Sequence, residues 1–444
     1  MFEHLDDPSP PEPSARTLGA VLARAAHLRR RRVVSAMGAV AVGALSLGVV
    51  IGAVASGPTT SQTFAAFDSQ TGLLALGTPV PSTDLASVVF VGDLRGFALA
   101  VHSTQTVLAV STDGGGSWTV ADPSLPMSFP AQFEFSDAVH GYLWGGPPSS
   151  TGIVPLWITA NGGRTWTRAG VGPVVSDVSA IGPDVWAVVG TCPISSSAGA
   201  SCPVLVEIST DNGQTWAQPG AAPPLREDSE VSVSDENIEM ARITPSRAYV
   251  LSFASRAPAP AAAGSLTYTA DGGRTWGSRA DPCPSYFDFG EQIAASGTED
   301  LWMVCASQAS AGSQAKALYR SSDGGEHWSL AAAANAPVLT GGRVLPSGGG
   351  LSSEGYVTPY SLAHENLAVL TTKDAWLFPD RSGVFETTDG GHTWGVVAGL
   401  DKSGLVDGGS GNVVFVDATH GWVCEAASGL WRTTNGKDWE RLGP

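Results

Sequence analysis

Positive charge is scarce in this chain of 444 residues, where 24 lysines and arginines stand against 41 aspartates and glutamates. The scarcity is sharper than that ratio, because the first 32 residues hold six of the arginines (Arg16, Arg24, Arg29, Arg30, Arg31, Arg32) and only four acids (Glu3, Asp6, Asp7, Glu12). Residues 33–444 are left with 18 basic and 37 acidic residues, a net charge of −19. A surface of that sign repels phosphate backbones, which excludes nucleic acid as a partner of the main body. Metal-ligand spacing is missing too. His102, His140, His327, His364, His392 and His420 are scattered, so no metal and no cofactor are expected.

Long uncharged apolar runs are absent with one exception. Val33 to Ala55 gives 23 residues without a charge, long enough to cross a bilayer as a helix, and four arginines precede it. Those arginines orient the segment with its N-terminal side in the cytoplasm and everything after Ala55 outside. The small residues "AVA" before Ser56 raise the alternative of a cleaved signal peptide, and both readings export the bulk of the chain. The expected organisation is a cytoplasmic tail (1–32), a single-pass transmembrane anchor in the cell membrane (33–55), a polar linker and lead-in (56–86), and a folded body (87–444). Leu18, Leu22, Ala25 and Leu28 give the tail helical spacing, read as a juxtamembrane helix that sets topology or touches anionic lipid.

What the chain has in abundance is one turn. "STDGGGSW" (111–118) recurs as "TANGGRTW" (159–166), "STDNGQTW" (209–216), "TADGGRTW" (269–276), "SSDGGEHW" (321–328), "TTDGGHTW" (387–394) and "TTNGKDW" (433–439). The closing tryptophans (Trp118, Trp166, Trp216, Trp276, Trp328, Trp394, Trp439) are spaced by 48, 50, 60, 52, 66 and 45 residues, a repeat architecture. Strand pairs such as "VVFVGDLRGFALAV" (88–101) and "VVFVDATHGWVCEA" (413–426) precede the turns. Each unit then reads as a four-stranded antiparallel meander, and seven in a ring make an all-β, seven-bladed β-propeller that leaves only short, protected edges.

Two further absences fix the role of the turn. No lysine and helix start follow the glycines, which excludes a phosphate loop, and the acids do not alternate as a calcium loop needs. The reading is structural. Asp113, Asn161, Asp211, Asp271, Asp323, Asp389 and Asn435 bond backbone N–H groups, a glycine takes φ > 0, flanking Ser and Thr add hydrogen bonds, and each Trp buries its ring on its own blade.

The pattern Ser/Thr-x-Asp-x-Gly-x-Thr-Trp resembles the Asp-box, or bacterial neuraminidase repeat, shared by sialidases, two-propeller xyloglucanases, sortilin-type receptors and photosystem II stability/assembly factors. The chain is most similar to the last in its single seven-bladed ring, its "FVDATHGW" type of strand pair and its exported location. That likeness implies a non-enzymatic assembly or binding role.

In each blade, strands A to D run outward from the axis, so A–B and C–D turns share one face. Length variation falls on the opposite face, in B–C and D-to-A loops, and recognition is expected there. Two loops offer candidate binding residues. One is acidic, with Glu227, Asp228, Glu230, Asp235, Glu236 and Glu239; the other, "DPCPSYFDFGEQ", carries Tyr286, Phe287, Asp288, Phe289 and Glu291. Such residues suit a sugar, a peptide or a basic partner; a solvated loop and an apolar plug over the ring mouth are the plainer readings.

No catalytic residue is assigned. A sialidase would need an arginine cluster, a Tyr–Glu pair and an Asp acid/base. The Phe-Arg-Ile-Pro motif is absent, and Arg164, Arg274, Arg320 and Arg432 lie in or beside the turns, away from the variable face. Cys192–Cys202 is expected to staple one B–C loop and Cys283–Cys305 to form a second bridge, with Cys424 left over, consistent with an oxidising compartment. The reading is therefore a membrane-anchored extracytoplasmic platform for a protein or glycan partner, with a sialidase-like glycoside hydrolase as the alternative.

Overall fold

The computed structural model describes residues 74–443 apart from 128–130, 147–148, 150, 194–202, 226–237, 254–264, 285–286, 288–289, 309–312, 336–348, 354–356, 358–366, 402–410 and 427. No helix among the described residues is long and apolar enough to cross a membrane, and the 33–55 segment lies outside them.

Seven antiparallel sheets follow one another along the chain, each in the strand order of the sequence. Blade 1 shows the plan, with strand A at Leu85–Phe90, B at Gly96–His102, C at Gln105–Ser111 and D at Thr119–Asp122. The other inner strands are Gln132–Phe135, Val174–Ile181, Ile238–Arg242, Gly290–Ala295, Leu367–Val369 and Gly411–Phe415. Each touches the inner strand of the next blade, and the last returns to the first, so the ring is closed. Six blades have four strands. In blade 3 the fourth shrinks to a single bridge between Ile208 and Ala217, because "QPGAAPPL" places prolines where a longer strand would need donors.

Strand B explains how the blades pack. Its aromatic residue is Phe97, Tyr142, Trp186, Tyr249, Trp302, Trp376 or Trp422, buried in every blade. In three joints the strand A aromatic of the following blade stacks on it: Phe135 on Phe97 at 3.6 Å, Phe90 on Trp422 at 3.6 Å and Phe415 on Trp376 at 4.0 Å. The tryptophan of that following blade's turn then meets the same ring edge-on, as Trp166, Trp118 and Trp439 do. Each such pair adds about 0.5–1.5 kcal/mol beyond its buried area. At the same register position in blade 4 stands Arg242, whose guanidinium lies over Trp186 at 4.8 Å. The glycine opening strand B in "RGF", "HGY" and "HGW" is required because a Cβ there would come within 2.5 Å of the facing Phe90, Phe135 or Phe415 ring.

No strand is shared across the joint between blades 7 and 1. Side chains close it instead: Asn412 accepts from Val88 N–H at 3.2 Å and donates to Val88 C=O at 2.8 Å, and Trp422 Nε1 donates to Gly114 C=O at 2.9 Å. The lead-in before strand A adds to the seal. Leu74 and Val80 share a buried cluster with Leu85 of strand A and with Trp422, Leu430 and Leu442, and Val80 N–H bonds Trp118 C=O at 2.9 Å.

Cys283 and Cys305 are bridged, as expected, and both are buried. Cys192 is disulfide-bonded, its expected partner Cys202 lies outside the described residues, and Cys424 is a free buried thiol. The Cys283–Cys305 bridge closes a loop spanning 22 residues. Replacing both cysteines with alanine is expected to remove about 3 kcal/mol of stability by the chain-entropy model, read as a lower denaturant midpoint.

Candidate functional site

The turns behave as the sequence requires. In the third, Ser209 Oγ donates to Asp211 Oδ1 at 2.7 Å, Thr215 N–H donates to the same oxygen at 2.8 Å, and Thr215 Oγ donates to Oδ2 at 2.6 Å. One bond recurs seven times: the residue after the Asp or Asn (Gly114, Gly162, Asn212, Gly272, Gly324, Gly390, Gly436) donates to a carbonyl in its own blade's A–B turn at 2.8–3.0 Å. The two sets of turns therefore share one face. Burial of the tryptophans departs from expectation. Trp118 and Trp394 are buried, whereas Trp166, Trp216, Trp276, Trp328 and Trp439 are half-buried, since strand D is the outermost and one ring face meets solvent.

These carboxylates set an acid limit. Hydrogen bonds from Thr215, Thr275 and Thr393 hold Asp211, Asp271 and Asp389 at about 2, below the ordinary value of 3.8. Because the folded state depresses them, their stabilisation is complete above about pH 4 and is lost as pH falls toward 2. Unfolding measured across that window should show stability falling with acid. Asn161, with no proton to gain, keeps its turn by donating Nδ2–H to Thr165 Oγ at 2.8 Å. The triple variant Asp211→Asn, Asp271→Asn, Asp389→Asn is accordingly expected to flatten the slope, and an unchanged slope would refute this account.

Two of the arginines beside the turns are staples between blades. Arg320 Nη1 donates to Gly390 C=O at 2.8 Å and Arg432 Nη1 to Gly114 C=O at 3.4 Å, each reaching the next blade's turn. Arg274 Nη1 bonds Asp271 C=O within its own turn at 2.9 Å.

Most of the expected binding residues (Glu227, Asp228, Glu230, Asp235, Glu236, Tyr286, Asp288 and Phe289) lie outside the described residues. The other three expected binding residues are described, and all are buried. Phe287 joins the core cluster of Cys283 and Ile293, Glu291 pairs in register with Cys305, and Glu239 stands in the inner strand of blade 4. They belong to the body of the ring and not to an exposed loop. Asp281, Cys283 and Glu291 offer ligand atoms within 4.8 Å of one another, but the disulfide consumes the Cys283 sulfur.

The best-defined concavity is a cavity of about 500 Å³ lined by residues from the inner strands of all seven blades. The inner strands around it carry a girdle that sequence reading missed, of which Ser87, Gln132, Asp177, Glu239 and Asn412 border the cavity. Two residues before the partner of each strand B aromatic stands a polar side chain: Ser87, Gln132, Asp177, Glu239, Gln292 or Asn412, with Asn366 at the remaining position, in blade 6, outside the described residues. Asp177, Glu239 and Asn412 each accept a main-chain N–H from the next blade's inner strand, those of Met240 (2.7 Å), Ile293 (3.1 Å) and Val88 (3.2 Å). Glu134, two positions further on, takes Ala180 N–H at 3.1 Å. Inner strands present their unpaired edges to the axis, and these acceptors satisfy them. The signal, one polar residue per inner strand at fixed register, is visible in hindsight as "SVVF", "QFEF", "DVSA", "EMAR", "QIAA", "NLAV" and "NVVF".

Residues 207–218 match the model of the BNR/Asp-box repeat. No curated protein matches the chain. Among solved structures, the chain is similar to YCF48 bound to D1 peptide, at 16% identity over 80% of this chain and 94% of that one, with a TM-score of 0.50. It is similar to the GH74 xyloglucanase from Xanthomonas campestris at 15% identity, covering 84% of this chain but 55% of that one, again with a TM-score of 0.50. YCF48 from Cyanidioschyzon merolae matches at 14% identity over 81% and 99% of the two chains, with a TM-score of 0.46. At such identities the likeness establishes the propeller fold alone.

Proposed function

We propose that this protein is a membrane-anchored, extracytoplasmic propeller that binds a segment of a protein partner and carries out no reaction. The observation that carries the reading is the use made of the axial carboxylates. Glu134, Asp177 and Glu239 each accept a neighbouring blade's main-chain N–H, so they hold the ring's geometry where a glycosidase would keep a carboxylate pair for proton transfer. Likeness to a YCF48 structure that holds a D1 peptide supports a protein partner. The uncharged run 33–55, with its preceding arginines, supports the anchor and the exported location of the ring.

The test uses the full-length chain in its membrane. A membrane-impermeant protease added outside intact cells should degrade the ring and spare the 1–32 tail. Detergent-purified protein should bind peptides from exported proteins at micromolar affinity and release no product from sialosides or β-glucans. Turnover of either glycan would overturn the proposal in favour of the glycoside hydrolase alternative.

A further inference from the structure

We infer that the turn face at the joint of blades 1 and 2 is a docking site for an acidic, partly apolar peptide segment. This rests on the binding-platform reading and moves its contact surface to the face opposite the variable loops. The joint of blades 4 and 5 shows what the joint of blades 1 and 2 lacks. Arg247 follows Ser246, the A–B turn residue whose carbonyl accepts Gly272 N–H, and it lies 3.9 Å from Glu299 in the A–B turn of blade 5. Arg279 of blade 4 meets Glu326, from the Asp-box turn of blade 5, at 3.1 Å. Two acids of one blade thus face two cations of the blade before it.

Blade 1 has the same first arginine. Arg95 follows Leu94, whose carbonyl accepts Gly114 N–H, and its Nη2 stands 3.5 Å from the place that a Cβ on Gly162 of blade 2 would take. The position of Glu299 is held in blade 2 by Val139, however, and that of Glu326 by Arg164. Among the described residues neither guanidinium has an ion pair or a hydrogen bond, and Arg95 only rests over Phe97, 4.9 Å from the ring centre. Burial, and after it the charge of Arg164, lowers the pKa of Arg95. The acids of these turns do not neutralise the pair. Asp137 is engaged by the N–H groups of Val139 and His140 and by the His140 ring, each at 2.8 Å, and Asp93 has no ion pair among the described residues. Blade 2 also carries Asn161 where five of the seven turns carry aspartate.

A second observation points the same way. Leu94 is 56% exposed and Val139 is 43% exposed, two of the four large hydrophobic side chains left exposed among the described residues. Both sit at the tip of an A–B turn, a position filled in the other blades by Pro183, Ser246, Glu299, Lys373 and Thr419. Apolar tips on adjacent blades, beside two guanidiniums, suit one kind of guest: the cations select a carboxylate and the tips cover apolar side chains next to it.

Full-length protein in detergent is titrated calorimetrically with two capped peptides, one with the core Leu-Glu-Glu-Leu and one with Leu-Gln-Gln-Leu. The acidic peptide should bind roughly 10-fold more tightly. Arg164→Glu supplies the acid that blade 5 has in Glu326, and Val139→Glu the one it has in Glu299. Each should pair Arg95 internally and reduce binding of the acidic peptide to the level of the neutral one. Arg274→Glu makes the same change of charge at the same turn position in blade 4, where the preceding blade has Asp184 in the place of Arg95. It should leave affinity within about twofold, because a distant exposed charge is screened. Cooperative thermal unfolding of the variants checks that the ring is intact. Equal binding of the two peptides, no binding of either, or equal losses in Arg164→Glu and Arg274→Glu overturns the inference. Peptides from exported proteins then separate the two readings. If the protein still binds them, the platform stands with its site elsewhere; if it binds none, the platform falls as well.

Discussion

Gly436→Ala is expected to cost about 2–5 kcal/mol, whereas Gly272→Ala, at the same place in another turn, costs about 1–2 kcal/mol. Both glycines have left-handed backbones, at φ +73° and +76°, and both donate to their A–B turn, so the conformational penalty is common. The surroundings differ. A Cβ on Gly436 would come 2.4 Å from the Ala418 carbonyl oxygen, an atom that cannot swing aside, while nothing lies within 4 Å of one on Gly272. Blade 3 has already made the tolerated substitution, holding Asn212 at φ +60° in that position. Chemical denaturation followed by tryptophan fluorescence measures both variants. Equal losses would mean that backbone conformation alone, and not crowding, selects glycine in these turns.

Trp422→Ala is expected to lower stability by about 3–5 kcal/mol and to open the ring at one place. The indole is fully buried, stacks on Phe90 of blade 1 and donates across the joint to Gly114, so its loss removes packing and a hydrogen bond together. Cys424, two residues on, reports the event. Its thiol is buried, its Sγ lies 3.7 Å from Leu85 C=O of blade 1, and burial pushes its pKa upward. In the native ring it should react with a maleimide only through rare opening; in Trp422→Ala it should react many times faster. Trp302→Ala, an equally buried strand B aromatic in blade 5, is the control. It should cost similar stability while accelerating Cys424 labelling no more than that loss dictates. Identical acceleration in the two variants would show that the joint is no weaker than the rest of the ring.

How much of this was legible beforehand follows from what each residue type can do in few surroundings or in many. An Asp-x-Gly-x-Thr-Trp run has few ways to be satisfied, so its seven copies gave the blade count, and the Gly-aromatic pair of "HGW" marked strand B. The axial girdle was illegible because aspartate, glutamate and asparagine all serve there as acceptors for a neighbour's N–H while serine and glutamine hold the same position in other blades, and no single letter repeats all the way round. Arg242 misleads in the same way. It reads as a surface charge, yet it fills the place that phenylalanine holds in blades 1, 2 and 7, because a guanidinium also stacks on an indole. Phe287 and Glu291 were read as loop residues for want of any signal that the inner strand of blade 5 begins at Gly290.

That every blade is one uninterrupted stretch has a consequence for biogenesis. Each sheet finds all its hydrogen-bonding partners within a few dozen residues, so a chain made N-terminus first completes them in turn, with little waiting on distant segments. A single long-distance match remains, that of the first sheet with the seventh, and it comes last. Premature termination before residue 411 would therefore release an open arc of finished sheets with two bare flanks, a species for quality-control proteases to remove.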